Sequence, residues 1–506
     1  MIKVTLYLSF FLLLLSSACE EELSELNVNR IQPTSIDPVY ILNDALVNTT
    51  AVGGTLIYDI GIVQQLISPN SGVITGANYN QDNRNVTAGL WERYYRNVIR
   101  NTSDVIVQTT DDPERNNLQQ MARIWQAYAF MTLTDTYGDI PYFEAGRGVS
   151  DQIVRPSYDA QEDIYTDLID ELQEASAALA AGAPTEVGDV LYGGDIDKWR
   201  RLGYSLLLRA GMRLSKVDPA RAEQLAGMAL QGGVMQSNAD NAVIRHDANY
   251  TNTIGNILNG SEANNFFLAA PFVDHLQSTN DPRLGAIAVR YVGAASGPEQ
   301  TADRATSDPE QQVGMPLGYD NNTVRAVATE LGLASFYAFS QADRTRVAKL
   351  QAPTFLVTYA QTQLLLAEAA ARGWVDGSAA DYFTNGVRAH MEQMADFDPG
   401  SAIAEDAIAA YLAANSYEED NALEQINTEY WIASFLNGAE AFANFRRSGY
   451  PELTPNPFPG QDISGDFIRR LTYPNAEISV NSDNVNAAIS RQGPDNLDTR
   501  VWWDVD

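Results

Sequence analysis

The side chains that catalysis usually needs are scarce in this chain. Its 506 residues hold one cysteine and three histidines, against 65 Asp and Glu. His246, His275 and His390 stand far apart, without the His-Glu-x-x-His spacing that sets two metal ligands on one helix face. No phosphate-cradling glycine loop and no Gly-x-Ser-x-Gly nucleophile elbow occurs. Carboxylate pairs of the kind that cleave glycosidic bonds arise by chance among so many acids, so they carry no weight. Asn481, Asp483 and Asn484 offer oxygen ligands for calcium but lack EF-hand spacing. The expectation is a protein without catalytic residues, cofactor or metal. Binding remains. Aromatic rings pack on the apolar faces of sugar rings, while amides and carboxylates bond hydroxyls. Three loop clusters have that composition: Tyr79 with Asn80 and Asp82; Asn264, Asn265, Phe266 and Phe267; and Tyr319 with Asn321. The competing reading of each is a loop residue packed onto helices. Trp91, Trp125, Trp199, Trp374 and Trp431 fall in helical blocks and read as core.

The single thiol, Cys19, has a different use. It follows Lys3, a mostly apolar run from Val4 to Leu15, and Ser16-Ser17-Ala18. That run is too short to span a bilayer, which takes about 20 apolar residues. It reads as a secretory signal, residues 1–18, whose end resembles the lipobox of bacterial lipoproteins, with Ser16 where Leu is usual. The resemblance implies that Cys19 becomes the first mature residue and carries acyl chains such as palmitate; two or more such chains anchor stably. No disulfide or Cys-bound metal is then possible, and burial alone must hold the fold. Residues 19–36 read as a tether, with Glu20, Glu21, Glu22 and Glu25 after the cysteine and Pro33 near its end. The acidic start resembles the surface-export signal of Bacteroidetes lipoproteins; a solvated linker is the alternative.

The formal net charge is −32, with 33 basic residues of which only Lys3, Lys198, Lys216 and Lys349 are lysines. Nucleic acid is excluded as a partner, because phosphate binding relies on clustered cations. An acidic, lysine-poor surface suits salty surroundings, where screening blunts self-repulsion.

The elements that would position the loop candidates are helices. Arg115–Tyr137 carries Leu118, Ala122, Trp125, Ala129 and Leu133 at helical steps, and Asp159–Leu179 repeats the pattern, with Ser157 or Asp159 as N-cap. Trp199–Leu214 is apolar on two faces, as a helix inside a stack would be. It forms a hairpin with Ala220–Leu230 across Asp218-Pro219; Thr354–Arg372 does the same with Ala379–Met394. Each hairpin has the length of a tetratricopeptide unit. Irregular stretches rich in Gly, Asn and Pro fill 53–88, 182–195, 232–265, 280–330 and 451–506. Ordered loops that long are usually functional.

Five passages then give the chain a likeness. They are Trp91-Glu92-Arg93-Tyr94-Tyr95 with Asn97; Ala122–Tyr142, holding Asp135-Thr136-Tyr137-Gly138-Asp139-Ile140-Pro141-Tyr142; Tyr359–Trp374, holding Leu366-Ala367-Glu368-Ala369; Phe445–Pro451; and Arg469–Pro474. In this order, behind a lipobox, they resemble the SusD/RagB-like family of outer-membrane nutrient-binding lipoproteins, in its second branch. Ser448 stands where Thr is common. The resemblance implies an all-α fold, about four tetratricopeptide-like pairs with large loop excursions, as one domain over 37–506. It implies a partner, a SusC-like TonB-dependent outer-membrane β-barrel over which the lipoprotein sits as a lid, and a nutrient ligand such as an oligosaccharide. Two alternatives stay open: a scaffold of the transporter complex that binds no ligand, and a lipid-anchored glycosidase. The Arg446-Arg447 and Arg469-Arg470 pairs read as structural forks that pin the carboxyl-terminal loops onto acidic helices.

Overall fold

Helix signals in the chain become helices at nearly the expected places. The computed structural model describes residues 36–70, 79–148, 151–260 and 263–506; the signal, Cys19 and most of the tether lie outside them. The framework helices are α1 (Pro38–Asn48), α2 (Gly53–Ile62), α3 (Arg84–Arg93), α4 (Arg100–Thr109), α5 (Asn116–Tyr137), α6 (Gln161–Ala178), α7 (Ile196–Arg213), α8 (Pro219–Gly232), α9 (Tyr359–Ala371), α10 (Ala379–Phe397), α11 (Ala422–Ala433) and α12 (Gly438–Ser448). α1 packs on α4, α5 on α6, α7 on α8 and α9 on α10, and α6–α7 and α7–α9 contacts link successive pairs. This is the expected tetratricopeptide-like stack, extended by α11 and α12.

Local chemistry explains the ends. Asp195 caps α7 by accepting the N–H groups of Asp197 and Lys198, and Asp218 accepts that of Arg221 with Pro219 in the first turn of α8. Thr358 and Gln361 form a reciprocal capping box on α9. α6 departs from expectation. It starts after Ala160, with no side-chain cap. Asp159 instead accepts the N–H groups of Tyr142 and Phe143, both at 3.0 Å, while Asp139 takes the Gln161 N–H at 2.9 Å. A second departure lies at 354–357. There a strand, Thr354–Val357, replaces the expected helix start and pairs antiparallel with Ala242–Ile244. The stretch at 53–88 is also less irregular than expected, since α2 and the start of α3 occupy it. Strands are few and short.

One apolar core runs through the stack, from Val39 and Leu42 to Trp503. Inside it lie several charged pairs. Arg447 grips Glu368 through two bonds of 2.8 and 2.7 Å, and Arg213 bridges Asp135 (3.1 Å) and Glu440 (2.7 Å). Arg446 donates to the carbonyls of Arg469 (2.8 Å) and Asp135 (2.6 Å), and Arg470 pairs with Asp495 at 2.8 Å. Arg446 and Arg470 therefore fasten the carboxyl-terminal segment to α5, and Arg447 ties α12 to α9; Arg469, more exposed, reaches Asp504 at 3.5 Å. Burial drives the Glu368 carboxyl upward, but the charge and hydrogen bonds of Arg447 outweigh it and hold the group down at about 2.

Trp91 is the aromatic counterpart of these clamps. Tyr95, Tyr137, Tyr158 and Tyr473 surround it with ring centroids 4.9 to 5.9 Å away. All five passages that carry the family likeness thus supply interior residues.

Candidate functional site

A smaller apolar cluster stands apart from the main core: Ile67, Phe267, Met315, Val324, Phe336 and Phe339 among its members. It is seeded by a short antiparallel pairing of Leu66–Ile67 with Phe267–Leu268. Over it, three loops converge. Tyr79 stacks on Phe458 with centroids 3.9 Å apart and planes at 29°. Gly318, at φ +82°, lets the third loop close on them, since a Cβ there would stand 2.6 Å from Pro457 Cγ. Asp320 next to it accepts the N–H groups of Asn322 (2.9 Å) and Thr323 (2.8 Å) and the Thr323 hydroxyl (2.8 Å). Those bonds hold its pKa below the usual carboxylate value, just ahead of the helix Val324–Glu330. They also fix the turn that carries Tyr319, which is 37% exposed.

The sequence candidates thus reach one region, but in different roles. Tyr79 is a support rather than a platform. It is only 2% exposed and donates its hydroxyl to the Pro69 carbonyl at 2.9 Å; burial first, and the Asp320 charge second, push its phenol up to about 12. Asn80, in left-handed conformation at φ 52°, bonds Gln461 at 3.0 Å and accepts the Asp462 N–H at 2.9 Å. Asp82 accepts from Arg84 (2.9 Å) and Thr472 (2.7 Å). These three fasten loops together. Phe266 and Phe267 present no face to solvent: neighbours along an extended segment point to opposite sides, and each enters a different apolar cluster. Asn264 and Asn265 are half-buried on the turn before them, with the Asn264 amide against Gly297. Asn321 holds the Arg325 guanidinium through its carbonyl at 3.0 Å, and its buried side-chain oxygen has no hydrogen-bond partner.

Tyr319 and Phe458 are left as the rings that meet solvent, with the exposed Asn322 and Gln461 beside them. Phe458 escaped the sequence reading. Its signal was the stretch Pro455-Asn456-Pro457-Phe458-Pro459-Gly460, in which three prolines stiffen a loop around a single aromatic. Among the described residues no cluster of three or more His, Cys, Asp or Glu could hold a metal. Asn481 and Asn484 donate to the Pro156 carbonyl at 2.8 and 3.0 Å, tying a helix start to the 151–158 loop. His246 and His390 are buried, and burial lowers the basicity of all three histidines.

Residues 30–474 match the second SusD-like family, described as starch-binding and associating with the outer membrane. This chain belongs to the SusD-like family. Among solved structures, a chitin-binding protein is 32% identical with a TM-score of 0.82, over 93% of this chain and 100% of that one. A Bacteroidetes SusD-like protein is 27% identical with a TM-score of 0.81, over 93% and 100%. A chitin-binding SusD homolog from Flavobacterium johnsoniae is 25% identical with a TM-score of 0.73, over 92% and 96%. No curated protein matches. The expected all-α, tetratricopeptide-like architecture is thereby shown, and the family is one of outer-membrane-associated carbohydrate binders. No helix among the described residues is long and apolar enough to cross a membrane.

Proposed function

We propose that this SusD-like protein captures an oligosaccharide at the cell surface and delivers it, without chemistry of its own, to a SusC-like TonB-dependent barrel that it caps. The observation that carries the reading is the loop-built surface at Tyr319 and Phe458. Phe458 sits on a loop braced by Tyr79 and Asn80, and Tyr319 on a turn fixed by Asp320, so the positions of both rings are set before a ligand arrives. Asn322 and Gln461 at the rim supply amides for hydroxyl or acetamido groups. The chitin-binding structures similar to this chain make chito-oligosaccharides the first ligands to try.

The anchor is Cys19. Its acyl chains keep the receptor on the outer membrane, and the acidic tether lets it reach the barrel. Isothermal titration of the purified full-length protein with chitohexaose tests capture. Phe458→Ala should weaken binding on the order of tenfold, equivalent to ~1.4 kcal/mol, while co-purification with the barrel stays intact. Loss of the barrel complex, with no heat of binding in the native protein, would favour a ligand-free scaffold. Release of shorter sugars would favour a glycosidase. Cys19→Ser should move the protein from the detergent phase to the aqueous phase.

A further inference from the structure

We infer that a second, separate cleft accepts an anionic saccharide through a carboxylate. This cleft, about 690 Å³, shares no lining residue with the Tyr319–Phe458 surface and opens on the side of the stack where α1 meets the 190–198 and 238–250 segments. A volume of that size lies within the usual range for small-molecule sites.

Its walls are fixed before any ligand enters. Asp189 organises one wall by accepting the N–H groups of Leu191 (2.8 Å) and Tyr192 (3.2 Å) and the Trp199 indole N–H at 2.7 Å. The Tyr192 hydroxyl donates to the Asp240 carbonyl at 2.7 Å. On the opposite wall Tyr250 bonds Val47 and Thr50 on and just after α1, and stacks on His246 with centroids 5.1 Å apart. The paired strands at Val243 and Phe355 close the back. With both tyrosine hydroxyls committed inward, these residues offer ring surface rather than polar tips.

The charged groups on the rim decide the ligand. Lys198 and Arg245 both line the cleft, and among the described residues neither forms an ion pair. Lys198 merely stands 5.9 Å from the Tyr192 ring centroid. In a chain of net charge −32, two uncommitted cations on one cleft are unusual. Of the two lining acids, Asp247 is turned into its own loop, accepting the N–H groups of Asn249 (2.7 Å) and Tyr250 (2.8 Å). Asp396 is exposed, and among the described residues its carboxylate has no hydrogen-bond or ion-pair partner. The free chemistry is therefore two cationic donors, one carboxylate acceptor and ring surface. That set fits a uronic-acid residue: its carboxylate on Lys198 and Arg245, a hydroxyl on Asp396, its apolar face toward a tyrosine. A neutral sugar would leave both cations unused.

The inference deepens the carbohydrate reading but stands or falls separately from the aromatic surface. Titrate the full-length protein with a glucuronic-acid-containing disaccharide and with N,N′-diacetylchitobiose. Lys198→Gln with Arg245→Gln should weaken the acidic disaccharide at least tenfold and leave diacetylchitobiose unchanged; Phe458→Ala should do the reverse. Raising salt from 50 to 500 mM should weaken only the acidic ligand. Arg245→Gln alone, at an exposed position, should give a several-fold loss with an unaltered melting temperature, which keeps the test independent of folding. Unchanged affinity in the double variant, or no saturable binding of the acidic disaccharide to the native protein, would overturn the assignment.

Discussion

Two aromatic assemblies in this molecule use the same residue types to opposite ends. Around Trp91 the tyrosines turn every hydroxyl inward: Tyr95 to the Pro141 carbonyl, Tyr137 to that of Thr87, Tyr473 to that of Asp139, and Tyr158 to Glu477. Rings and polar tips are both consumed, and the assembly locks α3, α5 and the carboxyl-terminal segment together. At the loop surface only Tyr79 is used that way. Phe458 has one side on Tyr79 and stays half-buried, and Tyr319 leans out on a turn that its neighbour Asp320 has already fixed. The difference is one of commitment. An aromatic with all partners inside the fold stabilises; one braced from behind and left open in front is available to a ligand.

That contrast is broken hardest from the scaffold side. Arg447→Leu strips the buried Glu368 carboxylate of its two-bond partner and leaves it only Arg372 at 2.9 Å and the Asn427 amide at 3.1 Å, a loss of about 3–5 kcal/mol. The expected outcome is failure to fold or a steep fall in melting temperature by circular dichroism, with no selective effect on sugar affinity. Trp91→Ala should cost about 3–5 kcal/mol by opening a cavity among four tyrosines. A Trp91→Ala protein that melts like the native one but no longer binds sugar would invert the comparison.

The same contrast explains how much could be read from the sequence. Helical periodicity in Asn116–Tyr137 and Ile196–Arg213 reports burial on the helix itself, so α5 and α7 were legible to within a few residues. The arginine forks were legible as well, because a buried guanidinium needs a partner and the chain is rich in acids. Long-range choices were not. That Thr354–Val357 pairs with Ala242–Ile244 depends on a contact across more than a hundred residues. Asp159 looked like a helix cap, yet its oxygens serve Tyr142 and Phe143. In the loops, composition picked out Tyr79 and Tyr319, whose loops the fold brings against the same 457–458 segment. It could not tell which rings face inward, since that depends on packing: Phe267 vanished under Phe336 and Phe339, while Phe458 surfaced.

pH separates two interior carboxyls whose pKa values are shifted in opposite directions. Glu368 is held at about 2 against an ordinary 4.5, so its contribution is complete above the ordinary value and is lost as pH falls from there toward 2. Asp59 in α2 behaves oppositely. It is fully buried, neither oxygen has a hydrogen-bond partner, and burial raises its pKa well above 3.8 despite the charge of Arg446. A raised carboxyl favours folding in its protonated form and costs stability as pH climbs through the folded value. Asp59→Asn should therefore raise the melting temperature at pH 8 relative to the native protein, and the gain should vanish by pH 4. A melting curve in which Asp59→Asn is equally shifted at both pH values would show that the group is not titrating at all.

The smallest effects sharpen the comparison at the loop surface. Phe458→Ala removes a ring that both braces Tyr79 and meets solvent, so it should lower affinity on the order of tenfold and also lower stability slightly, by about 1 kcal/mol. Tyr319→Ala removes a ring that braces nothing. Its turn is held by Asp320 and Thr323, neither of which needs the phenol. Stability should stay within about 0.5 kcal/mol of the native value, as for other exposed substitutions, while chito-oligosaccharide affinity falls several-fold. Paired titration and melting measurements on the two variants decide whether the open ring serves the ligand alone. If Tyr319→Ala costs stability and spares affinity, the turn is another fastener and Phe458 stands by itself.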